Sequence, residues 1–293
     1  MKFSTAKKVF TFILTISVFF SLISTSCTKK TKSDDTGVVF DSIQVNKTQS
    51  IDYKESKLNC NLHILFTYPV TCKKTSSLSN LQKIFIEKVF PSQYANLSPK
   101  VVVDSFATQY IKDFQAVKWS DFFDKDNDGD DDDDYILEDE NSFIYELSLE
   151  NKILYNKNNL ISFVVKNTNY EGGAHGSNSI YGYVIDLNTG KLLTEDDFAG
   201  NNYKKNLSAL IVKKIATAKG LTDASQLEDN GYNAIEDIVP NGNFTIDDKG
   251  ITYYFNEYEI AAYFVGITEV FIPYEELKAY ITNDNPVSKL AEQ

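Results

Sequence analysis

The feature that most constrains the fold is a strict alternation in the first third of the chain. Leu58, Cys60, Leu62, Ile64, Phe66 and Tyr68 are interleaved with Asn59, Asn61, His63, Leu65 and Thr67. Successive side chains of a strand point to opposite faces, so this run predicts a strand with one buried face and one more polar face, ending at Pro69. Further strands are expected at Phe143 to Tyr155, Leu160 to Thr168, Ile180 to Leu187, Phe244 to Ile246, Ile251 to Phe255 and Glu269 to Ile272. Asn156-Lys157-Asn158-Asn159 and Asp247-Asp248-Lys249-Gly250 are turn sequences that join neighbours as antiparallel hairpins.

Helical spacing appears between these runs. Ser79 and Gln82 resemble a capping box, and Leu81, Ile84, Phe85 and Val89 follow until Pro91. Ser98 and Pro99 form an N-cap and first-turn pair ahead of Val102, Phe106, Tyr110 and Phe114. Leu207, Leu210, Ile211 and Ile215 mark a third helix, and Tyr274 to Ile281 a last one. Locally paired strands with helices grouped between them imply an α+β fold on antiparallel sheet.

The first 26 residues are expected to stand outside that fold. Met1 to Lys8 holds three lysines and no acid, Val9 to Ile23 is apolar and hydroxylic, and Ser24-Thr25-Ser26 precede Cys27. This is the layout of an export signal with a small-residue cleavage site. A cysteine directly after that site suggests acylation of Cys27 and a lipid anchor in the cell envelope, at the outer membrane or cell surface. The apolar stretch is short for a bilayer span, which takes about 20 residues. Residues 27–49 read as a tether, 50–168 as a first α+β subdomain with an acidic insert at 121–140, 169–283 as a second, and 284–293 as a tail.

All 29 basic residues are lysine, against 41 acids. With three lysines lost in the signal, the mature formal charge is about −15. Such a surface is a poor partner for nucleic acid, whose phosphates need a basic face, and steers basic proteins toward itself. Cys60 and Cys72 could form a disulfide on count alone. A straight strand, however, carries Cys60 about 30 Å from Pro69, and three residues back to Cys72 recover about 11 Å. Cys60 therefore reads as a small buried residue.

Several segments resemble a known family. Tyr170-Glu171-Gly172-Gly173-Ala174-His175-Gly176, Asp186-Leu187-Asn188-Thr189-Gly190-Lys191 and Glu195-Asp196-Asp197-Phe198 are similar to the C-terminal domain of the lysozyme-sensing anti-sigma factor RsiV. So are Phe255-Asn256-Glu257-Tyr258-Glu259-Ile260-Ala261 through Gly266 and the closing Ile272-Pro273-Tyr274. Residues 50–165 resemble, through Tyr68-Pro69 and element order, the domain preceding it there and in the deacetylase PdaC. The resemblance implies a non-enzymatic binding module whose loops enter a lysozyme cleft. It departs in having a lipidated signal where RsiV has a sigma-factor-binding segment and a transmembrane helix, so transmembrane signalling is not expected. A cell-wall processing enzyme or accessory factor is the alternative, although PdaC's chemistry belongs to a separate domain.

Three candidate sites follow. Glu171 and His175, among glycines, could form an acid–base pair or part of a metal site, or His175 could simply bond backbone groups at a tight crossover. Zinc catalysis wants three protein ligands, and the other histidine, His63, lies on the polar face of a distant strand. Asp124, Asp126, Asp128, Asp130 and Asp132 match the first positions of a calcium loop, but Tyr135 stands where the bidentate glutamate belongs. A solvated acidic loop fits those residues too, and calcium is the one cofactor suggested. Tyr253, Tyr254, Phe255, Tyr258, Tyr263 and Phe264 gather near the end. Most are expected in the core, whereas Tyr258 between Glu257 and Glu259 is expected on an exposed loop suited to a basic protein partner such as lysozyme.

Overall fold

The computed structural model describes residues 36–53, 56–73, 77–120, 144–172, 174–200 and 203–292. The signal, Cys27 and the acidic insert with its calcium-loop candidates lie outside these residues. Among the described residues, no helix is long and apolar enough to cross a membrane.

The elements follow the α+β order expected. Strands β1 (Val38–Tyr53) and β2 (Ser56–Cys72) precede helices α1 (Leu78–Val89) and α2 (Pro99–Ala116). Strands β3 (Ile144–Lys157), β4 (Leu160–Tyr170), β5 (Ser177–Asp186) and β6 (Lys191–Leu192) come next, followed by α3 (Tyr203–Ala218). Strands β7 (Phe244–Ile246), β8 (Gly250–Phe255) and β9 (Thr268–Pro273) and short helices α4 (Tyr274–Leu277) and α5 (Ser288–Ala291) complete the chain. Strands β1 to β6 form one six-stranded sheet in sequence order, and β7 to β9 form a second. Every pairing is antiparallel except that of β2 with β3, which the α1–α2 crossover joins. The hairpin between β4 and β5 keeps both halves of the chain on one sheet.

Strand β4 explains the layering. Leu160, Ile161, Ser162, Phe163, Val164 and Val165 are all buried, because the strand is covered on both faces. Ile161, Phe163 and Val165 pack with Phe85, Ile86, Val102 and Val103 of α1 and α2. Leu160 joins the core of the small sheet with Phe244, Ile251, Tyr253 and the α3 residues Leu207 and Ile211. Ser162, the polar exception, accepts a bond from the Ile246 amide at 3.0 Å and so docks strand β7. Gly182 is needed on β5 because a Cβ there would sit 2.5 Å from the Phe244 carbonyl. The turn from β3 to β4 works as its asparagines suggest: Asn158 and Asn159 have φ of 53° and 61°, the paired left-handed conformation that matches hairpin twist.

Five expectations need correction. Residues 38–49 are not tether but most of β1; between the inward Val45 and Ile51 the inward positions are Lys47 and Gln49, opposite Leu62 and Cys60, so the apolar alternation is interrupted where the strand continues. Strand β2 runs through Pro69 to Cys72 across a register shift, and Asn151 bonds both the Thr67 amide (2.7 Å) and carbonyl (2.8 Å) where β3 no longer pairs. The first helix is capped by Ser77, whose hydroxyl accepts from the Asn80 amide, while Gln82 bonds the Pro69 carbonyl instead of closing a box. The expected tail is packed: Val287, Leu290 and Ala291 are buried, and the Asn285 side chain accepts from the Val287 and Ser288 amides at 2.9 Å each. The last expected helix also stops early, at Leu277. Cys60 is fully buried, and β2 carries Cys72 about 40 Å from it, so no disulfide joins them.

Candidate functional site

The open edge of β5 builds the site. Strand β6 pairs with Ile185 and Asp186, and the Leu193 amide reaches the Val184 carbonyl at 2.8 Å, so among the described residues no strand pairs with β5 ahead of Val184 on that side. Side chains take the place of a strand. Asn256 Oδ1 accepts from the Ile180 amide at 2.7 Å, and Asn243 Oδ1 accepts from the Gly182 amide at 2.6 Å. Asn243 Nδ2 donates to the carbonyls of Ile180 (2.8 Å) and Tyr254 (2.9 Å), tying the two sheets together. Glu257 closes the row with a fork: its two oxygens accept from the amide and the side-chain Nδ2 of Asn178, each at 3.0 Å.

This lattice fixes the loop after β8. Glu259 makes the second fork, accepting from the Asn256 amide at 2.9 Å and from Asn241 Nδ2 at 2.6 Å. Between the two forks Tyr258 adopts φ of 66°, a conformation costing a non-glycine residue about 1–2 kcal/mol, and exposes 62 % of its surface. Strain of this kind persists only when surrounding bonds over-determine it. The two glutamates supply those bonds.

The glycine-rich loop meets Tyr258 from the other side. His175 stacks on Tyr263 with ring centroids 4.0 Å apart, and Tyr258 lies 5.5 Å from Tyr263. The Tyr263 hydroxyl donates to the Gly176 carbonyl at 3.0 Å. His175 Nδ1 lies 2.9 Å from that same carbonyl, which makes it the donor, and Nε2 then accepts from the Tyr258 hydroxyl at 3.3 Å. Both ring nitrogens are thereby engaged, and neither meets Ser177 or Ser179. Phe264 extends the apex, 78 % exposed and resting on Gly231, where a Cβ would fall 2.4 Å from its ring.

Of the five residues expected at a binding surface, Tyr258, Glu257, Glu259 and His175 come together, but the carboxylates of the half-buried Glu257 and the exposed Glu259 are engaged as struts within the loop. Glu171 does not join them. It continues the helix-side face of β4 and bonds the Tyr145 hydroxyl, so no Glu171–His175 pair forms. Its charge adds to burial in raising Tyr145 and Tyr110 above the ordinary tyrosine range and pushing the Cys60 thiol up to about 11. Of the aromatic residues gathered near the end, Tyr253, Tyr254 and Phe255 are in the core, whereas Tyr263 and Phe264 join Tyr258 at the apex. The asparagines 178, 241, 243 and 256 were unanticipated; the Asn241-Gly242-Asn243 triplet, dense in turn formers beside a strand, is the signal that could have found them.

His63 is on the outer face of β2, with Nδ1 2.6 Å from Asn46 Oδ1 and Nε2 3.1 Å from Glu150, so it links three strands. Among the described residues, no group of three or more His, Cys, Asp or Glu side chains could hold a metal ion.

Comparison with known proteins divides the chain in two. Residues 55–178 match the family model described as deacetylase PdaC, and residues 192–275 match that of a protein of unknown function, DUF3298. The His175 loop falls in the first match and Tyr258 in the second, so the apex is assembled from both. No curated protein matches the chain. A DUF3298-family crystal structure from Bacteroides fragilis is similar at 29 % identity and a TM-score of 0.73, covering 88 % of this chain and 98 % of its own. A second, from Pseudomonas aeruginosa, shares the fold at 14 % identity and a TM-score of 0.52, covering 83 % of this chain and 95 % of its own.

Proposed function

We propose that this is a non-enzymatic binding protein of the bacterial envelope, exported, acylated on Cys27 and presenting the Tyr258 apex to a basic protein, with lysozyme or another muramidase the leading partner class. The single observation that carries this reading is Tyr258: an exposed aromatic ring on a strained backbone, held between two carboxylate forks. A ring fixed before contact loses little conformational freedom on binding, which is what distinguishes an interface anchor from a surface tyrosine. Acidic composition supports the choice of a basic partner, since steering raises the encounter rate. The glutamates beside the anchor act by positioning it.

The test is retention on immobilised lysozyme at about 50 mM and 150 mM salt, where surface charges are screened differently. The full-strength protein is retained at both, and Tyr258→Ala is lost at the higher salt. Absence of retention at both salts overturns the proposal. The match to deacetylase PdaC favours a second reading, action on cell-wall glycan. Release of acetate from peptidoglycan by the purified chain, abolished by Glu171→Gln or His175→Gln, would establish it in place of the first. Mass spectrometry of the mature N-terminus tests the anchor: an unmodified Cys27 removes it.

A further inference from the structure

Strand β1 is the first in the six-stranded sheet and pairs only with β2. Among the described residues no strand pairs with its other edge, although the element is 16 residues long, about three times the usual strand length. Two of its backbone groups are met by its own side chains, the Ser42 amide donating to Asp41 Oδ1 at 2.8 Å and the Ser50 carbonyl accepting from Gln49 Nε2 at 2.9 Å. Exposed edges of this length are normally blunted by proline, bulges or inward charges. β1 contains no proline, and its one register irregularity lies at its start, between Val39 and Phe40. It does carry two inward charges. Asp41 lies opposite Tyr68 and Lys47 opposite Leu62, on the same helix-side face as Ile43 and Val45.

A lone inward charge guards an edge by making any added strand bury it unpaired. Two opposite charges placed symmetrically about Gln44 select one strand and one register. We infer that β1 is the interface of a symmetric homodimer, formed by antiparallel pairing of β1 with β1 of a second copy about a twofold axis at Gln44. In this register Asp41 faces the partner's Lys47, Lys47 faces the partner's Asp41, and Ile43 faces the partner's Val45. Each pairing occurs twice, as a self-complementary interface requires. A slip of two residues in either direction sets each charge against an uncharged side chain. Larger slips bring Lys47 against Lys47 or Asp41 against Asp41. Asp41 is exposed and Lys47 half-buried in the single copy. One Asp41 oxygen accepts from the Ser42 amide at 2.8 Å, a bond that a partner strand would replace by ladder pairing of that amide, freeing the carboxylate for the partner's Lys47. The two sheets would merge into one of twelve strands, with the Tyr258 apex near the far edge of each half. The inference is thus independent of what the apex binds.

Sedimentation velocity on the full chain at about 50 µM tests it, since dimer population follows concentration. The natural sequence sediments as a dimer. Asp41→Lys or Lys47→Asp alone puts like charges opposite each other twice and raises the dissociation constant by ~10-fold or more. The double variant Asp41→Lys/Lys47→Asp returns to the dimer. Under mild oxidation Gln44→Cys forms a disulfide-linked dimer above the background of the natural cysteines, and Ser50→Cys does not. An unchanged far-ultraviolet circular dichroism spectrum of each variant separates lost pairing from lost folding, since melting itself shifts when a dimer dissociates. A monomer at this concentration, or a dimer indifferent to both single reversals, overturns the inference.

Discussion

Strand β4 and the loop carrying Tyr258 are held in opposite ways. β4 is fixed by burial: six consecutive residues are out of solvent, and Phe163 stacks on Phe85 at 4.3 Å. The apex buries little and is fixed by carboxylate and amide side chains that replace a missing strand along β5. Burial gives stability without aiming any particular group. The polar lattice aims one ring at solvent, and its outer forks at Glu257 and Glu259 should add little to stability. Substitutions should therefore separate the two.

The largest effect is expected in the buried layer. Phe163→Ala removes a fully buried ring and should cost ~3–5 kcal/mol in denaturant unfolding. Asn243→Ala should cost less, ~2–3 kcal/mol, by leaving the Gly182 amide and the Ile180 carbonyl without Asn243 where the sheets meet, while the Tyr254 carbonyl keeps Asn241. It should weaken partner binding as well, because it lies at the junction of both regimes. Glu257→Ala inverts the ranking: unfolding should shift by ~1 kcal/mol or less, while affinity falls ~10-fold as Tyr258 loses its strut. A loss of stability like that of Phe163→Ala would refute the division.

The smallest expected effect concerns pH. Burial, aided by Glu171, raises the Cys60 thiol from 9.0 to about 11 in the folded chain. Between these values the unfolded chain releases its thiol proton first, so stability falls as pH rises through that window and is unaffected below it. Cys60→Ala should flatten that part of the unfolding profile. The native thiol should also stay unreactive toward disulfide reagents at pH 8, reacting only when the chain opens.

The sequence made the buried architecture readable and the apex only half so. Alternation at Leu58 to Phe66 and the Asn158-Asn159 turn each depend on local periodicity, and both elements form where expected. β1 was missed because Lys47 and Gln49 occupy inward positions at an edge, where a polar side chain can still reach solvent. The packed C-terminus was missed because α5 buries residues through contacts far from its own sequence neighbourhood. At the apex, Tyr258 and His175 stood out as residue types. Whether Glu257 and Glu259 face a partner or brace the loop depends on Asn178, 79 positions away from Glu257, and on Asn241, which no local pattern links to them.

The most direct test of the apex is a calorimetric titration of a basic lysozyme into the natural chain and into Tyr258→Phe and Tyr258→Ala. The account predicts saturable binding by the natural chain, a modest loss when only the hydroxyl contact to His175 is removed, and loss of most affinity when the ring goes. Equal affinity for all three chains would contradict it, because the ring braced between Glu257 and Glu259 would then contact nothing.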